Sequence, residues 1–254
     1  NHDIDFEFAM RYGNPSIRSG LEALKERGVT DLLLLPMFPH YAQATTESSL
    51  KHAHYQLKAM SWQPNLLEMG HFETAEEFIG PLAESIRPHL SEDTHLLFSY
   101  HGLPVSHVKR IDTSKKHCQT VEACCTVKCE ANSLCYGRHC NETTMAVVER
   151  LGLTPDQWSL SYQSRLGPVK WLEPSTTQMV EALVKKGVKK LAIVAPAFLA
   201  DGLETLEELD IGIREEFIEH GGEDLKVINC LNDDEQWIRG LEQLITNEFE
   251  HAVA

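Results

Sequence analysis

At 254 residues the chain is long enough for one large α/β domain or two small ones, either of which can bury a core. A net charge of −15, with acids spread along the whole length, excludes the basic patch that nucleic acid requires. No apolar run reaches the roughly 18 residues that cross a bilayer, and Asn1-His-Asp-Ile has no basic segment before an apolar one, so the expected setting is the cytoplasm, with membrane contact at most peripheral to the inner membrane.

Ile4 to Met10 alternates apolar and polar residues and reads as a strand, followed by a helix over Ser16 to Glu26 that Gly28 stops. Asp31 to Pro36 reads as a buried strand. The loop after it, Met37-Phe-Pro-His-Tyr-Ala-Gln-Ala-Thr-Thr46, carries the aromatics and hydroxyls of a ligand wall. A helix over 47 to 60, a strand over Asn65 to Phe72 and a helix over Ala75 to Ile86 complete the first half. The second half reads as a strand over Thr94 to Tyr100, a cysteine-rich segment and a helix over Glu142 to Leu151. A strand over Trp158 to Gln163, a helix over Thr176 to Lys186 and a strand over Lys190 to Phe198 follow. The chain then continues as a helix over Glu204 to His220, a strand over Leu225 to Cys230 and a helix over Gln236 to Phe249. Strands alternating with helices imply parallel sheets with helices on their faces. With three strands before residue 90 and four after, the first half is expected to be one βαβ unit short.

Chemistry concentrates where strands end. In open α/β sheets, ligands bind beyond the carboxyl ends of the strands. His101 stands at such an end, before Gly102 and Pro104, where a neutral imidazole can accept a proton or ligate a divalent metal. Asp201, Glu204, Glu207, Glu208 and Asp210 crowd another strand-to-helix junction. Glu204 and Glu208 share a helix face, where like charges cost about 0.2 to 0.5 kcal/mol. Two explanations stand side by side, acids capping a helix dipole and acids handling a cation. The loop Tyr162 to Pro174 is long for a strand-to-helix connection, as functional loops at this edge often are.

Six of the seven cysteines fall between 118 and 140: Cys118, Cys124, Cys125, Cys129, Cys135 and Cys140. Crowding without a leader peptide points to metal rather than disulfides. The segment has no C-x-x-C pair, and Cys135 to Cys140 has the C-x4-C interval found around [2Fe-2S] clusters, so an iron–sulfur cluster is expected ahead of zinc. His117 and His139 each abut a cysteine and could serve in a mixed site.

Phe98-Ser-Tyr-His-Gly-Leu-Pro104, Tyr162-Gln-Ser-Arg-Leu-Gly-Pro-Val-Lys-Trp-Leu-Glu-Pro174 and Ala200-Asp-Gly-Leu-Glu-Thr-Leu-Glu-Glu-Leu209 together resemble the three signature segments of the ferrochelatase family. Met10-Arg-Tyr12 and Pro36 to Thr46 resemble the family's arginine-bearing strand end and its aromatic cleft loop. The resemblance implies an α/β fold of two Rossmann-like, chelatase-like domains with parallel sheets flanked by helices. The expected division is 1–90 as the remainder of the N-terminal half, 91–233 as the C-terminal half with the cysteine-rich insert 117–140, and 234–254 as a terminal helix packing back on the domains.

The implied activity is insertion of ferrous iron into protoporphyrin IX or a related porphyrin to form haem, the last step of haem biosynthesis. On the resemblance, His101, Glu204 and Glu208 are catalytic, and His101 and Glu204 also meet the substrate Fe2+. Arg11 is the partner of a propionate, and Phe38, Tyr41 and Trp171 face the ring. The resemblance to bacterial members with internal cluster cysteines implies a [2Fe-2S] cluster on Cys118, Cys135, Cys140 and one of Cys124 or Cys125, leaving Cys129 and Cys230 as spares. Gly202 departs from the family, many of whose members carry histidine or cysteine there. Rival readings are a chelatase for another metal or tetrapyrrole, of the cobalt and sirohydrochlorin type, and a non-catalytic haem- or iron–sulfur-binding relic.

Overall fold

The computed structural model describes residues 4–253 and divides into two compact units, one of Asn1–His71 with Glu242–Ala254 and the other of Phe72–Leu241. In the first unit, α1 (Ile17–Glu26) begins at Ser16, whose side chain accepts from the Ser19 N–H as an N-cap. Strands β1 (Asp31–Leu34) and β2 (Asn65–Glu68) pair in parallel around α2 (Ser48–Ala59), and Leu21, Leu24, Leu32 and Leu57 form the core beneath them.

Ile4 to Met10 is not a strand. Phe6 and Phe8 are 82% and 63% exposed, and among the described residues the segment's ladder contact is one bridge from Met10 to Ser16. Alternation of apolar and polar residues prepares a strand, but the backbone needs a neighbouring strand to become one. Among the described residues the first unit therefore holds two strands where three were expected. Residues 43–47, read as loop and helix start, form a turn of π-helix ahead of α2.

The second unit starts with α3 (Glu76–Ile86) and centres on a parallel sheet of order β4-β3-β5-β6, built from β3 (Thr94–His101), β4 (Trp158–Gln163), β5 (Lys190–Val194) and β6 (Asp224–Val227). Residues 96–100 of β3 are fully buried, as expected for a parallel strand covered on both faces. Helices α6 (Thr176–Lys185) and α7 (Arg214–Glu219) pack Val180, Leu183 and Phe217 onto Leu97, Leu191, Ile193 and Leu225. A helix not expected from the sequence, α4 (Val105–Ile111), follows His101-Gly-Leu-Pro104. Helix α5 (Tyr136–Leu151) starts six residues before the expected position and takes His139 and Cys140 into its opening turns. Helix α8 (Glu235–Val253) is the last element. Trp237 on it closes an aromatic cluster with Phe72 and Phe78, ring centroids about 6 Å apart.

The expected α-helix over Glu204 to His220 is a π-helix over Glu204–Ile213 that becomes α7. Long π-helical runs are rare and concentrate at functional sites.

Close packing gives one sharp test in the second unit. A Cβ on Gly240 would stand 2.3 Å from the Glu77 carbonyl oxygen, a backbone atom that cannot rotate away. Gly240→Ala is expected to lower stability by about 1 to 3 kcal/mol, read as a lower denaturant midpoint at unchanged slope.

Candidate functional site

Strand β3 delivers His101 in register with Gln163 at the end of β4, and Phe98 three residues earlier pairs with Val194, the last residue of β5. The sheet edge beyond these positions gathers His101, the loop after β4 and the acidic junction after β5. Gly102 must be glycine here, because a Cβ would meet the Gln163 carbonyl oxygen at 2.7 Å and the Trp171 ring at 3.3 Å. The Gly102 N–H donates to that same carbonyl at 2.8 Å.

His101 is half-buried, and its ring lies 6.2 Å from that of Phe198. Its Nδ1 is 2.7 Å from the Gly102 carbonyl, which can only accept. Nδ1 therefore carries the proton, and in the neutral imidazole Nε2 keeps the lone pair.

Gln163, 2% exposed, links the strand ends. Its Oε1 accepts from Ser99 Oγ at 2.8 Å, and its Nε2 donates to the Glu204 carbonyl at 2.9 Å. Ser99, with its single proton committed, accepts from Thr176 Oγ1 at 2.8 Å. The first residue of the π-helix is thus held from β4 by a buried amide.

The five acids of the junction separate by what they touch. Asp201 accepts from Asn232 Nδ2, Thr205 Oγ1 and the Cys230 N–H. Burial opposes its charge, but these hydrogen bonds, Asn232 first, outweigh it and hold the carboxyl below the ordinary range. Asp210 is paired with Arg214, and Glu207 is exposed. Glu208 has both oxygens engaged at 2.6 Å, by the N–H and the hydroxyl of Ser164. Glu204 is the half-buried acid whose carboxylate takes no hydrogen bond or ion pair among the described residues. A Cβ on Gly202 would lie 3.4 Å from Glu204 Oε2, so the bare backbone there leaves the carboxylate its room. Trp171 bridges to Pro104 through its backbone, and its buried Nε1 has no hydrogen-bond partner among the described residues.

Arg11, Phe38 and Tyr41 belong to the first unit. Arg11 Nε donates to Ser48 Oγ at 2.8 Å and its guanidinium lies 4.4 Å from the centroid of the Tyr12 ring. Burial, and then the Glu47 carboxylate that the hydroxyl meets, push Tyr41 up to about 12. Phe38 is half-buried.

The cysteine-rich segment of the second unit folds around two buried polar side chains that the sequence reading passed over. Asp112 accepts five hydrogen bonds, from the N–H groups of Ser114, Lys115, His117 and Cys118 and from Ser114 Oγ. These hold its carboxyl far below the usual range, the Ser114 hydroxyl contributing most. Asn132 donates to the carbonyls of Cys124 and Val127 and accepts from the Cys129 N–H. An Asp followed by Thr-Ser is a turn signature, and it was the available signal.

Around this frame the thiols of Cys118, Cys124, Cys125 and Cys135 interact. Cys124 and Cys125 are 3.8 Å apart at sulfur, and Cys135 interacts with both Cys125 and Cys118. Hydrogen bonding from Cys125, then from the Arg138 N–H, from Cys118 and from the Gly137 N–H, lowers Cys135 to about 6 against its burial. Burial raises Cys118, and the bond to Cys135 raises Cys125. Cys140 is elsewhere. Burial raises its thiol, which hydrogen-bonds the Tyr136 hydroxyl. Cys129 lies 3.6 Å from His117 Nε2, and His139 contacts the Ser133 carbonyl and Glu73. A single tetrahedral ion with metal–sulfur bonds of about 2.3 Å sets its sulfurs about 3.8 Å apart. Cys124 and Cys125 meet that spacing, but among the described residues no three cysteine sulfurs lie within 4.8 Å of one another.

A family model described as Ferrochelatase matches residues 1–249. A ferrochelatase of Pseudomonas syringae pv. syringae is 41% identical over 239 residues, covering 94% of this chain and 70% of that protein. One from Bdellovibrio bacteriovorus is 40% identical over 238 residues, covering 93% and 70%. Among solved structures, SirB from Bacillus subtilis with Fe3+ superposes with a TM-score of 0.64 at 12% identity, covering 95% of this chain and 81% of that one, a likeness of fold.

The charge on Cys135 can be read directly. In metal-free protein, a thiolate ultraviolet titration should show one step with a midpoint near 6, absent from Cys135→Ser. The folded value lies below that of an ordinary thiol, so this group's contribution to stability is complete above the unfolded thiol pKa and is lost as pH falls through about 6. Absence of any thiolate step below about pH 8 would contradict the assignment.

Proposed function

We infer the chemistry of this site from one premise: the chain belongs to the ferrochelatase family, and it inserts iron into a porphyrin to form haem. Two pyrrole protons must leave the ring, and a hydrated ferrous ion must shed its water. The pairing of a lone-pair-bearing imidazole with an unclaimed carboxylate at one sheet edge is the observation that carries the assignment of roles. We assign to His101 Nε2 the acceptance of pyrrole protons, and to Glu204 the guidance of the incoming Fe2+ and the removal of protons. Glu208 acts from the same helix, and its two bonds to Ser164 suit it to fixing the loop after β4. Trp171 and, from the first unit, Phe38 and Tyr41 are assigned to the ring faces. Arg11, whose terminal guanidinium nitrogens make no ion pair among the described residues, is assigned to a propionate.

The four interacting thiols fit a [2Fe-2S] cluster. The donor set is four cysteines, with one pair at the spacing for a shared metal and, among the described residues, no three sulfurs gathered as a single zinc ion requires. We assign Cys118, Cys124, Cys125 and Cys135 as the ligands, which takes both neighbours of the Cys124–Cys125 pair and releases Cys140. Cys140 sits a turn into α5 with its thiol against the Tyr136 hydroxyl. When bound, the cluster supplies a one-electron redox centre and cross-links the segment.

Loss of porphyrin fluorescence on adding Fe2+ under anaerobic conditions tests the activity; a protein that leaves the fluorescence unchanged lacks it. His101→Ala and Glu204→Ala are expected to lower kcat by about 100-fold or more while remaining folded, and wild-type turnover in either removes that residue from the reaction. For the cluster, Cys140→Ala should keep iron and acid-labile sulfide in equal amounts, whereas Cys118→Ala and Cys135→Ala should lose both. A colourless, zinc-bound wild type contradicts the cluster assignment.

A further inference from the structure

The first turn of α5 stands between the thiol quartet and the end of β3. Its N-cap is Cys135. Gly137 lies under the Cys125 sulfur, which is 3.1 Å from where a Cβ would be, and the Tyr162 hydroxyl is 3.6 Å from the same point. Between these residues Tyr136, 5% exposed, sends its hydroxyl to the His101 carbonyl at 2.8 Å. One helical turn later the Cys140 thiol hydrogen-bonds the same hydroxyl.

A phenyl ring would fill this space as well as a phenol does. What the hydroxyl adds is a hold on one carbonyl, the one belonging to His101. The following N–H, of Gly102, is already committed to Gln163, so the peptide after His101 is fixed on its nitrogen side by β4 and on its oxygen side by α5. Loss of the second bond leaves a partly buried carbonyl without that donor and frees the residue to which proton acceptance is assigned.

We propose that Tyr136 is a positioning residue that transmits the state of the thiol quartet to His101. The link is short: the backbone from Cys135 to Tyr136, the phenol ring, and one hydrogen bond. When the quartet is closed around its metal, the first turn of α5 is pinned at Cys135 and beneath Cys125, and the hydroxyl is set against the strand end. When the quartet opens, that turn loses its anchor and His101 loses its hold. The proposal rests on the iron-insertion reading above for its catalytic consequence, but not for the physical link.

The test uses full-length protein with its metal loaded and Tyr136→Phe. The variant should keep wild-type iron and sulfide content and wild-type KM for porphyrin while kcat falls about tenfold, since small misplacement of a reacting group costs turnover rather than binding. A merely structural tyrosine would lower the melting temperature and leave kcat unchanged in the folded fraction, and that result overturns the proposal. A second measurement needs no variant. Hydrogen exchange of the peptide containing residues 101–104 should accelerate about fivefold when the metal is stripped from wild-type protein, alongside faster exchange in 117–135. Faster exchange in 117–135 with residues 101–104 unchanged overturns the proposal even where the variant does not fold. Wild type that makes no haem, yet couples exchange in the two segments, removes the iron-insertion reading and leaves the link standing.

Discussion

A single buried amide sets the geometry of the sheet edge. Gln163 holds three neighbours at once: its backbone carbonyl takes the Gly102 N–H, its Oε1 takes the Ser99 hydroxyl, and its Nε2 reaches the Glu204 carbonyl. A polar side chain 2% exposed at the end of a buried parallel strand is costly unless every group is paired, and here both ends of the amide are. Each such bond contributes about 1 kcal/mol net, while an unpaired partner costs about 1 to 3. That asymmetry makes the network exacting. The strand carrying the imidazole and the helix carrying the free carboxylate cannot shift independently without leaving a buried donor or acceptor exposed to nothing.

The π-helix follows from the same constraint. Its first residue is fixed by Gln163, its second turn by the grip of Ser164 on Glu208, and its end by Arg214 on Asp210. With Leu209 and Ile213 fully or nearly buried on its inner side, the segment satisfies anchors at both ends and a packed face, and the wider i→i+5 turn is the form it takes. Acids that looked alike in the sequence thereby acquire different tasks. Three are consumed in holding the junction, one faces solvent, and Glu204 is left with a half-buried carboxylate in the space that Gly202 keeps open.

The buried strands β3 to β6 and helix α6 are legible because continuous apolar runs and 3.6-residue periodicity are properties of the chain itself; Trp158–Gln163 stands where the pattern puts it. What depends on a neighbour was not. Ile4 to Met10 has the alternation of a strand but, among the described residues, no strand paired beside it. Helix α5 begins between Cys135 and Cys140, ahead of the expected start at Glu142, and carries Cys140 to the Tyr136 hydroxyl. His101 and Glu204 were visible as residue types at strand ends, but the sequence did not reveal that Glu208 would be occupied by Ser164 and Glu204 left unoccupied. That distinction is made by hydrogen bonds from a residue 44 positions away.

The cysteine segment carries the same principle to its limit. It has no sheet and little apolar surface to bury, so its fold rests on Asp112 gathering N–H groups at one end and Asn132 gathering carbonyls at the other. These two side chains do for the loop what a ladder does for a strand, and they bring four thiols together without a disulfide. Bringing them together has an electrostatic cost, because thiols in contact cannot all ionise: Cys135 goes down while Cys118 and Cys125 go up. A bound cation reverses that balance, since each thiolate then faces positive charge rather than another thiolate. A cluster of the kind proposed above would cross-link the segment, and because Cys135 is the N-cap of α5 that cross-link would adjoin the helix whose first residue holds His101.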